Sequence, residues 1–286
     1  MKYLDQYLRD IYTLLKSNLI KNKFYMFLFY NYLCFKNVFW KIFWINFKCQ
    51  RFGKLKFHFW SFSSFFATFT EIFIYNIYYF KSSKETPFII DCWANVWLSM
   101  MYFKYLYPNA IVDCYEPDIK TIHILKKNIE KNNFKNVKII NKAISDTSWS
   151  LQFYSMSDTE WWTWNTLEKN QVNFKNIDSY NIETIKLSDN KYDLIDFLKM
   201  DIEWTEWKVF NDFQKTNFLL KVQKISLEYH YDYFSKENSL AQIISLLENN
   251  KFNIIVNVNT LVDFYITEIE YNKLNKKYVL MLNCFR

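Results

Sequence analysis

The 286 residues carry 36 Lys and Arg against 29 Asp and Glu, a net charge of +7, and 51% of them are hydrophobic. That length can bury a full core, so one catalytic-sized domain with an N-terminal extension is expected. The lysines are scattered with no nucleic-acid signature, and the five cysteines show no Cys-x-x-Cys pairing; nucleic-acid binding, a metal site and a disulfide frame are set aside, and a reducing cytoplasm is expected.

Residues 1–56 read as a helical cap. Leu4, Leu8, Ile11, Leu14 and Leu15 recur at helical spacing, and Asp5, Arg9 and Asp10 rule out a secretory signal at the start. The more apolar run from Phe24 to Phe35 is interrupted by Asn31, Lys36, Asn37 and Lys41 before it reaches the about 20 residues of a spanning helix. Packing over the catalytic domain is expected, with peripheral membrane contact through these helices as the lesser alternative. Residues 57–286 form the second unit, and Phe57 to Phe80 should hold a strand or two and a short helix.

From Pro87 onward strands and helices alternate. The expected strands are Phe88–Cys92, Ile111–Tyr115, Val137–Ile144, Asp196–Asp201, Val222–His230, Phe252–Val258 and Tyr278–Phe285. Helices are expected over Val96–Tyr107, Ile119–Asn132, Thr205–Phe213 and Leu240–Asn249. Leu151–Tyr154 and Glu183–Leu187 read as extended pieces beside an irregular Ser155–Asn181 region. This alternation predicts an α/β fold, a doubly wound and mostly parallel sheet with helices on both faces.

The organising stretch is Phe88-Ile-Ile-Asp-Cys-Trp-Ala-Asn-Val-Trp-Leu98, followed by a second strand that closes on Glu116-Pro117-Asp118. Strand, turn, helix and a second strand ending in an acid make the nucleotide-binding half of such a fold. The turn should be glycine-rich, because the backbone passes close to a ligand; Trp93 and Trp97 stand there instead. With glycine at both places the stretch resembles the first motifs of the FkbM-type S-adenosylmethionine (AdoMet) methyltransferases. Leu198-Lys-Met-Asp-Ile-Glu-Trp-Thr-Glu206 resembles a further motif of that family, with Trp204 on its glycine, and Ser226-Leu-Glu-Tyr-His230 resembles the next strand end. The resemblance implies a seven-stranded, Rossmann-like class I sheet whose last strand runs antiparallel.

Average usage would supply about twenty glycines in such a chain, whereas it has one glycine and eleven tryptophans. Trp on three motif glycines points to UGA codons that mean glycine but are read as tryptophan. The other reading is a divergent copy whose tryptophans are real; Trp40, Trp44 and Trp207 fit either residue. Trp161-Trp-Thr-Trp164 is then a glycine-rich loop, or, with real indoles, a surface for stacking sugar rings.

The resemblance and the strand ends together nominate the site. Asp91 can hold the methionine end of AdoMet, residues Trp93, Ala94, Asn95 and Trp97 form the turn beneath it, and Glu116 can accept from the ribose hydroxyls. Ala143 and Asp146 are candidates beside the adenine. Methyl transfer to oxygen needs alignment and a base. Asp201 or His230 is expected as base, with Glu203 and Glu228 positioning the acceptor, whereas Lys199 and Glu206 could simply pair on the surface. The expected activity is O-methylation of a sugar, glycan or related small molecule. The rival is a non-catalytic binding module on the same fold, should the motif tryptophans be real. The oligomeric state is left open.

Overall fold

The computed structural model describes residues 2–43, 47–94, 98–156, 167, 177–203, 205–232, 239–258 and 277–286. Trp97, Asn95, Trp204 and the Trp161–Trp164 segment fall outside these. The N-terminal segment forms α1 (Lys2–Lys16) and α2 (Lys23–Phe43). A hairpin follows, β1 (Cys49–Phe52) and β2 (Leu55–His58), where helix was expected through residue 56. Gly53 turns it at φ +57, a conformation open to glycine at no steric cost. The wholly buried Asn128 accepts from the His58 amide and donates to its carbonyl, and Asn132 does the same at Lys56, which fixes β2 on the helix behind it. His58 thus contributes its backbone to the fold.

After α3 (Phe62–Phe69), capped by Ser61, the chain winds into one π turn, Thr70–Ile74. The strands β3 (Phe88–Cys92) and β4 (Ile111–Tyr115) then bracket α4 (Leu98–Leu106). Helix α5 (Ile119–Asn132) starts at Asp118, whose side chain accepts from the Lys120 amide, and ends on Asn133 in the left-handed region. The expected third strand divides. Only Val137–Ile140 joins the main sheet, as β5, because the Asn141 side chain turns back to the carbonyls of Glu116 and Pro117. Ala143–Ile144 becomes β6, pairing with β8 (Ile177–Ile185), which also pairs with β7 (Ser150–Met156) in a small separate sheet. β9 (Phe197–Met200), α6 (Glu206–Thr216), β10 (Lys224–Asp232), α7 (Leu240–Asn249), β11 (Asn253–Val258) and β12 (Lys277–Phe285) complete the chain.

The main sheet has the order β11-β12-β10-β9-β3-β4-β5. Counted along the chain from β5 this is 3-2-1-4-5-7-6, with β12 antiparallel to both of its neighbours. Consecutive residues of β3 face opposite sides. Ile89 enters a core shared with α1–α5 and the N-terminal aromatic residues, and Ile90 enters the core beneath α6 and α7. Stacked Phe69 and Phe73, 4.6 Å apart, sit in the first core beside Phe52 and Phe57. The strand order reverses between β3 and β9, and a crevice opens beyond the carboxyl ends of strands at such a point.

Candidate active site

Asp91, Asp201, Glu203, Glu228 and His230 lie on or just beyond β3, β9 and β10, the strands around that reversal, whereas Ala143 and Asp146 belong to the small sheet and the turn after it. Asp91, in β3, is wholly buried. Its Oδ2 accepts from Ser99 at 2.6 Å, whereas Oδ1 has no hydrogen bond and lies 3.5 Å from the Lys199 ammonium. Burial pushes the Asp91 carboxyl up, against the opposing pull of Lys199. Glu116 follows β4, 2% exposed, and accepts from the Asp118 amide at 2.8 Å. Ala143 is buried in β6, and Asp146 lies just beyond it, accepting from Ser145.

Trp93 is the informative residue. Its φ is +63, in the left-handed region that suits glycine and costs other residues about 1–2 kcal/mol. The indole is 3% exposed and packs 5.7 Å from the Phe153 ring. The next amide, of Ala94, donates to the Tyr115 carbonyl, tying the turn to β4. The backbone is therefore that of a glycine turn with an indole built onto it.

Lys199 does not pair at the surface; it is 2% exposed. Its ammonium donates to the Trp93 carbonyl at 2.7 Å and to Asp201 at 3.2 Å, and stands 5.4 Å over the Tyr78 ring. Burial pulls its pKa down, but Asp201, Asp91 and Glu228 outweigh that and keep it charged. Glu206 is likewise wholly buried, at the start of α6, and holds Nδ1 of His230 at 2.6 Å. Nε2 of the same ring lies 3.3 Å from Glu203. Burial works against an imidazolium here, yet Glu203 and Glu206 raise the His230 pKa well above its ordinary value.

Two further carboxyls, Glu203 and Glu228, titrate higher than usual. Burial pushes Glu203 up to about 8 and Glu228 up to about 7, with Asp201 adding to both and His230 opposing. Glu203 has φ +52 beside the motif position of Trp204, a sparsely populated conformation of the kind that collects at functional sites. Donor atoms of Asp201, Glu203 and His230 lie within 4.8 Å of one another, so a divalent ion could be held there. Both ring nitrogens of His230, however, already face carboxylates.

Two members of the cluster were not foreseen. Tyr78, 5% exposed, donates to Glu228 at 3.3 Å. Glu71, in the π turn, is pushed up to about 8 by burial and by the charges of Glu228 and Asp201. Neither lies in a motif. The only sequence signal was Glu71 as the one acid in the apolar, aromatic-rich stretch from Phe59 to Phe80.

A sheet of order 3-2-1-4-5-7-6, with a buried acid ending its first strand and another following its second, defines a class I AdoMet-dependent methyltransferase fold. Residues 91–254 match the Methyltransferase FkbM domain, more than half of the chain, and the chain belongs to the FkbM methyltransferase family. AdoMet is the cofactor of that domain. No curated protein matches the chain. Among solved structures it is similar to methyltransferase FkbM from Methylobacillus flagellatus KT, at 14% identity and TM-score 0.46, over 72% of this chain and 45% of that one. It is also similar to M. jannaschii TYW2 in complex with AdoMet, at 13% identity and TM-score 0.44, over 82% and 84% of the two chains. A third is the StiE O-MT, at 8% identity and TM-score 0.44, over 78% and 76%.

The strand-end acids are compatible with AdoMet: among the described residues Asp91 keeps a buried oxygen without a hydrogen bond, and Glu116 is a buried acid just past β4. The turn with tryptophan at 93 does not fit, because the Trp93 indole is packed against the same strand ends. Glycine at that φ would remove both the strain and the indole.

Proposed function

We propose that the chain is an O-methyltransferase acting on a hydroxyl of a sugar, glycan or related small molecule, in the form that carries glycine at 93, 97 and 204. The observation that carries this reading is the pairing of Asp91 and Glu116 on one side of the sheet reversal with Asp201, Glu203, Glu228 and His230 on the other. AdoMet, when bound, would supply an electrophilic methyl group, and an acceptor hydroxyl would then need a group to take its proton.

The chain's own groups divide that work. Asp91 and Glu116 bind and orient the cofactor, and Lys199 holds Asp91 and the 93 carbonyl in register. A general base serves best with a pKa near the working pH. Glu203 and Glu206 occupy both ring nitrogens of His230 and raise its pKa well above the ordinary value, which favours Glu228, at about 7 and hydrogen-bonded by Tyr78, as the proton acceptor. Asp201, Glu203 and His230 then position the acceptor.

The buried Trp93 indole favours a second reading, a methyltransferase fold used for binding alone. Calorimetry with AdoMet on the printed chain and on a variant with Trp93→Gly, Trp97→Gly and Trp204→Gly separates the two. Binding by the glycine form alone, followed by methyl transfer to a panel of sugars that is lost in Glu228→Gln, supports the enzyme. If both chains are folded and neither binds, the binding-module reading replaces it.

A further inference from the structure

The outer faces of α1 and α2 carry a pattern that the catalytic reading leaves unused. On α1, Leu4, Leu8, Tyr12 and Leu15 recur along one exposed stripe, continued by Leu19, and Tyr12 is 63% exposed. On α2, Phe24, Leu28, Tyr32, Phe35, Val38 and Ile42 do the same, with Phe24 at 72% and Phe35 at 60%. The opposite faces are the ones that pack into the protein, through Leu14 on α1 and Met26, Tyr30 and Leu33 on α2. Each helix is thus apolar on two sides, and among the described residues only one of those sides packs into the protein core. Contiguous exposed apolar faces of this kind mark contact surfaces.

Charge decides what the surface meets. Residues 1–58 hold eleven Lys and Arg against two Asp, a net +9, which leaves −2 on the rest of the chain. Lys16 and Lys21 are exposed around the α1–α2 turn, and Arg51 and Lys54 on the β-hairpin. The tip of that hairpin donates from Gly53 to Tyr25 near the start of α2. A second copy docked here would set +9 against +9. An anionic lipid surface instead attracts the lysines and takes the apolar stripes into its headgroup and acyl boundary. Among the described residues no helix is long and apolar enough to cross a membrane.

We propose that the α1–α2 hairpin docks the chain onto an anionic lipid surface, lying in its plane. The proposal stands independently of the methyl-transfer reading. The hairpin is held firmly to the domain: Asp10 of α1 accepts from Tyr30 and, at 2.6 Å, from Tyr75, which follows the π turn carrying Glu71. Docking therefore fixes the height of that turn over the surface.

Flotation of the full chain with vesicles tests this, using equal parts phosphatidylglycerol and phosphatidylcholine against phosphatidylcholine alone. The expected result at low salt is co-flotation with the anionic vesicles and at least about tenfold less with the neutral ones, because surface charge attraction is screened by salt. Leu28→Glu with Phe35→Glu alters only exposed positions, and should lower anionic-vesicle binding at least about tenfold with an unchanged circular dichroism spectrum. Absence of binding to anionic vesicles, or binding undiminished in the double variant, overturns the proposal. So does a concentration-dependent dimer of the wild-type chain that the double variant abolishes, since the stripes would then pair copies. AdoMet binding measured on the same samples reports separately on the methyltransferase reading.

Discussion

Trp93→Gly tests the site most directly, and its two consequences oppose each other. Removing a buried large aromatic side chain costs about 3–5 kcal/mol when the cavity does not collapse. Trp93 qualifies, at 3% exposed and packed on Phe153. Against this, a residue at φ +63 is relieved of about 1–2 kcal/mol of strain when it becomes glycine. The variant should thus be about 1–4 kcal/mol less stable than the wild-type chain without ligand. The vacated space adjoins the Asp91 and Glu116 strand ends, so AdoMet should now bind. Saturation at about 100 times Kd restores roughly 2.7 kcal/mol, which closes most of the gap. Thermal unfolding with and without AdoMet, beside calorimetry, reads both effects: a lower Tm in the apo variant, a large ligand-induced rise in the variant, and almost none in the printed chain. A printed chain that binds AdoMet as tightly as Trp93→Gly would refute the argument that the indole occupies the cofactor's place.

Other perturbations address separate parts of the structure. Lys199→Met strands Asp91 and Asp201 in the interior, and removal of one partner from a buried pair costs about 3–5 kcal/mol; urea unfolding should show a loss of that order. Asp10→Ala leaves the Tyr30 and Tyr75 hydroxyls and the Gln6 amide without their acceptor. At about 1–3 kcal/mol for each unsatisfied buried group, α1 should become cleavable in limited proteolysis before the sheet unfolds. In the Trp93→Gly background, Glu116→Ala should weaken AdoMet binding by about 1.5–3 kcal/mol, the worth of hydrogen bonds to a charged acceptor, with calorimetry as the readout. Glu71 gives a pH test. Its folded pKa of about 8 lies above the ordinary 4.5, so the stability it allows is complete below pH 4.5, falls as pH rises, and levels off above 8. Glu71→Gln should remove that slope, with little change at pH 4 and a gain of at most about 5 kcal/mol at pH 9. Equal stability of the two proteins at pH 9 would remove Glu71 from the acidic cluster.

The frame was legible because it rests on local rules. β3, β4, α5 and α7 lie where the apolar runs and the alternation of elements placed them, and the buried strands of a parallel sheet read as continuous apolar stretches. The third strand was misjudged because its end depends on the Asn141 side chain reaching back to Glu116 and Pro117, a contact across the fold that no periodicity carries. The β-hairpin at Cys49–His58 was missed for a similar reason: its strands are four residues each and are held by Asn128 and Asn132, some seventy residues later.

The site divides along the same line. Asp91, Glu116, Asp201 and Glu203 could be found from strand ends, but what surrounds them could not. Lys199 and Glu206 look like surface charges in the sequence, yet burial with Asp91 and His230 makes them the cluster's counterweights. Their burial also changes the chemistry: an imidazole between Glu203 and Glu206 stays protonated, and the burden of accepting a proton shifts to a carboxyl near pH 7. If His230 were the base after all, the rate would fall on the acid side of a pKa well above 6.5, and Glu228→Gln would retain most of its kcat. A rate that instead rises through about pH 7 and is lost in Glu228→Gln, while His230→Gln mainly raises KM, is the pattern that this electrostatic arrangement requires.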